Sequence, residues 1–405
     1  MQIEIIPSHA SGTVKAPPSK SMAHRLLICA GLCEGESRIR GIAPSEDVLA
    51  TVDCLRAIGA KCEYDGETVT VRGVSARSMK VSGTLPCREC GSTLRFFIPI
   101  AMMTGETVTL TGSERLLMRP QSVYEEMCRE KGLYFENDGK RIAVKGPLQG
   151  GIYEVAGDVS SQFISGLLFV LPLLDGDSEL RITGKLESRP YIDLTLSALA
   201  QFGVEVRWGE GNRIHVRGGQ HYEARDTEVE GDYSNAAFFE ALNCVGGDVT
   251  VTGLSPDSLQ GDRVYGAYFE ELKKGTATQS IAECPDLGPV LFAVAAARNG
   301  ATFADTARLR IKESDRAAAM AEELSKLGAR VEVEENCVTV FPSQLHPPTE
   351  PLNGHNDHRI VMALSVLLTR LGGRINGAAA VSKSMPDFFL QLNRLGVNTK
   401  EHDIG

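Results

Sequence analysis

The sequence predicts an α/β protein of two domains, each built from three copies of one αβ unit. Three observations carry that prediction. A glycine followed by a short β-rich run recurs at Gly35, Gly105, Gly176, Gly247, Gly300 and Gly373, at spacings of 70, 71, 71, 53 and 73 residues. Four copies then close on a Gly-x-x-hydrophobic hairpin signal followed by a polar turn. A chain of 405 residues, 42% hydrophobic and 23% charged, is also long enough to bury two separate cores.

Taken in order, the N-terminal run Ile3–Val14 reads as strand, and Pro17-Pro18 stiffens the approach to a helix. Ser19 is a good N-cap for that helix, which runs through Leu26-Leu27-Ile28 toward Gly31. Lys20 and Ser21 fall in its first turn, and Arg25 lies four residues after Ser21 on the same face. A cation in a first turn opposes the helix macrodipole by about 0.3–1 kcal/mol, so the placement makes sense if an anion binds there. Free amides, Lys20, Arg25 and the Ser21 hydroxyl would all point at it. A P-loop would need a glycine before the lysine, whereas Ser19 and two prolines stand here, so this is an anion site of another kind.

The hairpins follow at Gly59–Glu63, Gly132–Glu136, Gly203–Val206 and Gly328–Glu332, with turns at Asp65-Gly66, Asp138-Gly139, Gly211-Asn212 and Glu335-Asn336. The fourth copy is shorter and lacks a clear hairpin. Arg119-Pro120 and Arg189-Pro190 set a cation just ahead of a proline at the first helical position. Asp158-Val159-Ser160-Ser161-Gln162 caps the apolar helix Phe163–Leu174 and offers hydroxyl and amide contacts. The polar stretch Arg225–Gly231 marks a domain break, leaving 19–229 as an inserted domain and 1–18 with 230–405 as a discontinuous one. In the second half, Cys284–Pro289 places Asp286 just before a buried helix, as an N-cap or as a general base. Lys312 and Arg316 bracket the start of a helix ending at Gly328, with the Glu313 charge matched between them. Arg359 follows Asn356-Asp357-His358 at the start of an apolar helix, and Lys383 precedes Met385-Pro386-Asp387.

Formal net charge is −10, which excludes nonspecific nucleic-acid binding. Repeated cations at positive helix ends of an acidic chain imply a common anionic ligand. The longest apolar run, Phe163–Leu174, is too short to span a bilayer and holds Pro172, so no membrane association is expected. Met1-Gln2-Ile3-Glu4-Ile5 shows no signal peptide, and ten scattered cysteines read as buried, reduced thiols of a cytoplasmic protein. Cys87-Arg88-Glu89-Cys90 has metal or redox spacing but no second pair, and His355 and His358 lack an evident third ligand. Neither is read as a metal site.

Taken together, these residues resemble the enolpyruvyl transferase family, and the resemblance covers nearly the whole chain. It rests on Pro18–Arg25 (P-S-K-S-x-x-H-R), Gly91-Ser92-Thr93-Leu94-Arg95, Arg119-Pro120, Ser160-Ser161-Gln162 and Ser188-Arg189-Pro190-Tyr191. It continues through Pro285-Asp286, Lys312-Glu313-Ser314-Asp315-Arg316, Asn356-Asp357-His358-Arg359 and Lys383–Asp387. The resemblance implies an α/β fold of two domains, each an inside-out barrel of three βαβαββ units, with the active site in the cleft between them. It further implies transfer of the enolpyruvyl group of phosphoenolpyruvate to the 5-hydroxyl of shikimate 3-phosphate, releasing phosphate, with no metal or organic cofactor.

By that similarity Lys20, Ser21, Arg25, Ser160, Ser161, Gln162, Ser188, Tyr191, Asp286 and Lys312 hold shikimate 3-phosphate. Lys20, Gly91, Arg119, Gln162, Arg316, Arg359 and Lys383 hold phosphoenolpyruvate. Asp286 takes the hydroxyl proton, and Glu313 or Lys20 protonates the enol carbon. The protein is expected to be a monomer whose domains close on the two anions. Two departures from the family pattern stand out. Glu89-Cys90-Gly91-Ser92-Thr93-Leu94-Arg95-Phe96 replaces N-A-G-T-x-x-R-P, so Glu89 needs a cation such as Arg119 or Lys383 and Phe96 replaces a loop-shaping proline. Arg308 also stands where asparagine is usual. The nearest alternative is the branch of the family that uses UDP-N-acetylglucosamine. That branch carries lysine-asparagine near the N-terminus and a reactive cysteine before the Arg-Pro, and here Ser21 follows Lys20 and Gly112–Met118 holds no cysteine.

Overall fold

A computed structural model describes residues 1–75, 78–81 and 83–402. By internal contacts the chain forms two compact units, Pro18–Glu230 and Met1–Pro17 with Gly231–Gly405. One repeat recurs in both: a leading strand, a buried helix, the glycine-led strand, a second helix, and a hairpin. The leading and glycine-led strands pair in parallel, and the hairpin adds antiparallel, its return strand innermost.

In Pro18–Glu230 the first repeat runs α1 (Lys20–Gly31), strand Glu36–Arg40, α2 (Glu46–Ala57) and the hairpin Lys61–Tyr64 with Thr68–Arg72. The second holds α3 (Gly91–Ala101), strand Thr107–Thr111, a short α4 (Glu114–Leu117), α5 (Ser122–Lys131) and the hairpin Tyr134–Asn137 with Ile142–Lys145. The third holds α6 (Ser161–Val170), strand Ser178–Thr183, α7 (Arg189–Gln201) and the hairpin Val206–Trp208 with Arg213–Val216. Strand alternation sets the inward face: Ile39, Val69 and Val71 are buried while Arg38 and Arg40, on either side of Ile39, are exposed. Helices α1, α3 and α6 are buried nearly all round and lie in the core, their few polar side chains falling toward the N-terminal half.

The leading strand of the first repeat comes from the far end of the unit. Thr227–Glu228, within the stretch read as a break, pairs in parallel with Ile39 and Arg40. The other unit uses the same device. Its fourth repeat takes Ser11–Lys15 as leading strand against Asp248–Thr252, with α8 (Tyr233–Cys244) and α9 (Tyr265–Lys274). Among the described residues this repeat carries no hairpin, and its sheet has two strands. The fifth holds α10 (Gly288–Ala297), strand Ala301–Ala304, α11 (Arg316–Lys326) and the hairpin Val331–Val333 with Cys337–Val340. The sixth holds α12 (His358–Leu371), strand Gly373–Asn376, α13 (Phe388–Arg394) and strand Asn398–His402. Its missing return strand is Gln2–Ile6, paired on both sides. Here α8, α10 and α12 form the buried set.

Three local expectations change. Helix α5 begins at Ser122 with Gln121 as its N-cap, so Pro120 precedes the helix instead of opening it. Gly91–Arg95 is the first turn of α3, not a loop, and Phe96 lies inside that helix. Phe96 is buried edge-on against Phe169 at 5.2 Å, so its size fills core volume instead of shaping a loop. Asp286 sits in the 3-10 turn Pro285–Leu287, and Leu287 holds the cap position of α10.

Candidate active site

Within each unit many of the expected site residues stand at or just before the N-terminal ends of helices, where backbone N–H groups have no intrahelical partner. In Pro18–Glu230, Ser19 caps α1 by accepting from the Met22 amide, which puts Lys20 and Ser21 in the first turn. Lys20 donates to Asp47 of α2 at 2.7 Å, both side chains being mostly buried. Arg25 is committed to protein acceptors: its Nε to Thr195 (2.8 Å), Nη1 to the Ser21 carbonyl (2.6 Å) and Nη2 to the Tyr191 carbonyl (2.8 Å). Burial pulls its pKa down to about 10, which still leaves it charged at neutral pH. It thereby ties α1 to the first turn of α7, where Ser188 adopts a left-handed backbone (φ 57°).

Cys90 caps α3 through its sulfur, which accepts from the Thr93 amide. Gly91 is the first residue of α3, and a β-carbon there would stand 2.6 Å from Arg119 Nη1. The glycine therefore lets the Arg119 guanidinium lie directly on the helix start. Ser160 caps α6 by accepting from Gln162 N, and the Gln162 amide side chain spans to α3. It accepts from Arg95 Nη1 at 2.7 Å and donates to Ser92 at 2.9 Å. Lys20, Ser21, Gly91, Arg119, Ser160, Ser161, Gln162, Ser188 and Tyr191 thus all stand at helix starts of one unit or in the turn after α4.

In the other unit a single network joins Asp286, Lys312, Glu313, Arg316 and Arg359. Asp286 accepts from Arg316 Nη1 (2.9 Å) and Lys312 (3.2 Å) at one oxygen, and from Arg359 Nη2 (3.1 Å) at the other. Arg316 is 1% exposed and also reaches Glu313 (2.7 Å) and Asp357 (2.9 Å). Burial opposes its charge, but Asp357, Glu313 and Asp286 outweigh that and push its pKa above the ordinary arginine value. Burial likewise lowers Lys312 to about 8, only partly opposed by Asp286. Arg359 donates further to Ser234 and to the Asp286 carbonyl, and Lys383 donates to the Asn356 carbonyl at 2.7 Å. Lys383 ends a 3-10 turn, Ala378–Lys383, and precedes α13, which opens at Phe388.

Two participants, Asp47 and Asp262, carried no signal in the sequence, while others stood in motifs or departures already noted without this geometry. Asp47 sits in the first turn of α2, where an acidic residue is expected for the helix alone. Asp357 is the fully buried cap of α12 and accepts from Ser314 and Arg316. Asp262 is buried near Asp286 and Arg359, and burial first, then the Asp286 charge, raises it to about 6. His24 pairs with Thr51 at 2.7 Å, and burial first, then Lys20 and Arg25, hold it well below the usual histidine range. Arg308 is buried and donates to the Ala282 carbonyl. Cys87 and Cys90 are both buried, and burial pushes Cys90 up to about 12, which suits a cap and not a nucleophile. His355 does meet carboxylates, Glu322 and Glu323 of α11, with ligand atoms within 4.8 Å of one another. Both Glu323 oxygens, however, already accept from protein donors: Lys326 and His355 at one, the Asn353 amide at the other.

Among the described residues no helix is long and apolar enough to cross a membrane. Residues 5–392 match the family described as EPSP synthase (3-phosphoshikimate 1-carboxyvinyltransferase). The chain is 38% identical to the 3-phosphoshikimate 1-carboxyvinyltransferase of Clostridium kluyveri, over 100% of this chain and 99% of that one. It is also 38% identical to the enzyme of the same name from Clostridium novyi, with the same coverage. In fold it matches an EPSP synthase from Acinetobacter baumannii with a TM-score of 0.78 at 24% identity, covering 99% of this chain and 100% of that one. The enolpyruvyl transferase NikO from Streptomyces tendae matches with a TM-score of 0.79 at 15% identity, each chain 98% covered.

Proposed function

The chain belongs to the EPSP synthase (3-phosphoshikimate 1-carboxyvinyltransferase) family, and from that premise we propose how its residues divide the work. It transfers the enolpyruvyl group of phosphoenolpyruvate to the 5-hydroxyl of shikimate 3-phosphate and releases phosphate, a step of the shikimate pathway. The observation that carries the division of labour is the Asp286 carboxylate, gripped by Lys312, Arg316 and Arg359. Those are the cations assigned to substrate phosphate and carboxylate groups. In this reading the arriving anions compete for Lys312 and Arg359 and free Asp286 oxygens to accept the 5-hydroxyl proton. Arg316, locked by Asp357 and Glu313, stays in place and keeps Glu313 oriented.

The hydroxyl oxygen attacks C2 of phosphoenolpyruvate while a proton adds to C3, supplied by Glu313 or Lys20. The resulting tetrahedral intermediate returns a C3 proton to the group that supplied it and expels phosphate, giving the enol ether product. Lys20, Ser21, Arg25, Ser160, Ser161, Gln162, Ser188, Tyr191 and Lys312 bind shikimate 3-phosphate. Gly91, Arg119, Arg316, Arg359 and Lys383, with Lys20 and Gln162, bind phosphoenolpyruvate. The buried helix starts support this division, since they present amides and cations to anions with little water to compete. Purified protein should release phosphate from phosphoenolpyruvate with shikimate 3-phosphate and not with UDP-N-acetylglucosamine. The opposite preference would overturn the reading.

A further inference from the structure

The loop that enters α12 carries two consecutive non-glycine residues in left-handed backbone, His355 (φ 48°) and Asn356 (φ 52°). His and Asn enter that conformation more readily than most side chains, but two in succession need surrounding contacts to hold them. Strand pairing and the Gly354 amide to the Asn376 carbonyl hold one side of the loop, and the side-chain contacts flanking the pair come from α11. At its start Arg316 Nε donates to Asp357, the residue just after the left-handed pair. Seven residues on, and therefore on the same helix face, stands Glu323. Its carboxylate is fully buried and holds the loop just before that pair. It accepts from the Asn353 amide at 2.9 Å and from His355 Nε2 at 2.9 Å, with Lys326 at 3.0 Å balancing its charge. Asn353 in turn accepts from the His355 amide through its side chain.

What the loop delivers depends on this clamp. The Asn356 carbonyl takes Lys383, Asp357 caps α12, and Arg359 leaves the first turn of that helix for Asp286. We propose that Glu323 is a positioning residue for phosphoenolpyruvate binding: with Arg316 it clamps the left-handed His355-Asn356 segment and so aims Arg359 and Lys383. Glu323, fully buried beneath the loop, acts through it. The proposal rests on the assignment of Arg359 and Lys383 to phosphoenolpyruvate.

Glu323→Leu keeps apolar volume and removes both acceptors, whereas Glu323→Gln keeps one for the Asn353 amide and turns its NH2 toward His355, where it can donate to Nε2 of the Nδ1–H tautomer. Because an error of about 1 Å in a substrate contact costs on the order of tenfold or more, Glu323→Leu should raise KM for phosphoenolpyruvate about tenfold. KM for shikimate 3-phosphate should stay within about twofold, and Glu323→Gln should restore most of the loss. His355→Asn tolerates the left-handed backbone but is too short to reach Glu323, and it should reproduce the effect should Glu323→Leu fail to fold. Lys383→Met serves as the control on the underlying assignment. A normal phosphoenolpyruvate KM in Lys383→Met would remove that assignment and the proposal with it. A raised KM in Lys383→Met with wild-type values in Glu323→Leu and His355→Asn would overturn the proposal alone. Equal rises in both KM values, or equal loss in the Leu and Gln variants, would also overturn it by marking a general structural role.

Discussion

Replacing Gly91 by alanine tests the phosphoenolpyruvate end of the site with the smallest possible change. The added β-carbon would stand 2.6 Å from Arg119 Nη1, 3.0 Å from Cζ and 3.1 Å from Nη2. Ordinary carbon–nitrogen contact begins near 3.4 Å, so the guanidinium must retreat by about 0.8 Å. Arg119 is 7% exposed and flanked by the first turn of α3, so it has little room to recover by another rotamer. A charge-assisted hydrogen bond contributes about 1.5–3 kcal/mol, which corresponds to about 10- to 150-fold in affinity when the geometry is lost. Gly91 opens a helix, where alanine is the better helix former by up to about 1 kcal/mol, so the fold itself should not suffer. Steady-state phosphate release with each substrate varied in turn is the assay, with thermal melting alongside. KM for phosphoenolpyruvate should rise at least about tenfold while that for shikimate 3-phosphate moves less than about twofold. An unchanged phosphoenolpyruvate KM in a folded variant would refute the claim that Arg119 holds that substrate across Gly91.

Two further predictions follow from the Asp286 network. Asp286→Asn keeps size but removes the base, so kcat should fall by about 10²–10⁴ with a smaller change in shikimate 3-phosphate KM. Melting should be followed as well, because breaking a buried ion pair costs about 3–5 kcal/mol. Turnover within about tenfold of wild type would exclude Asp286 as the base. Lys312, lowered to about 8, loses its charge as pH rises through that value, so KM for shikimate 3-phosphate should climb between pH 7 and 9. Lys312→Arg stays charged throughout and should flatten that rise; a flat wild-type profile would show that Lys312 does not contact the anion.

The six-fold repeat was legible because its signals are local. Glycine-led runs such as Gly105–Thr111 and turns such as Asp138-Gly139 act over a few residues, and strands formed at all six glycine-led positions. The candidate site was legible for a similar reason. A cap followed by a cation, as at Ser19-Lys20 or Asp357-His358-Arg359, is a pattern of adjacent residues with a direct electrostatic meaning. What it could not convey is pairing across hundreds of residues. Gln2–Ile6 completes the sixth sheet beside Asn398–His402, and Ser11–Lys15 and Thr227–Glu228 lead the fourth and first sheets. An isolated strand carries no information about which edge will take it, since backbone hydrogen bonding is the same everywhere and only the assembled core selects a register. The same holds for single charges. In sequence Glu323 is one more acid on an amphipathic helix and Asp47 one more N-terminal acid. Only packing decides that one is sealed under the loop at Asn353–His355 and the other against Lys20, where the loss of solvent turns an ordinary carboxylate into a fixed anchor.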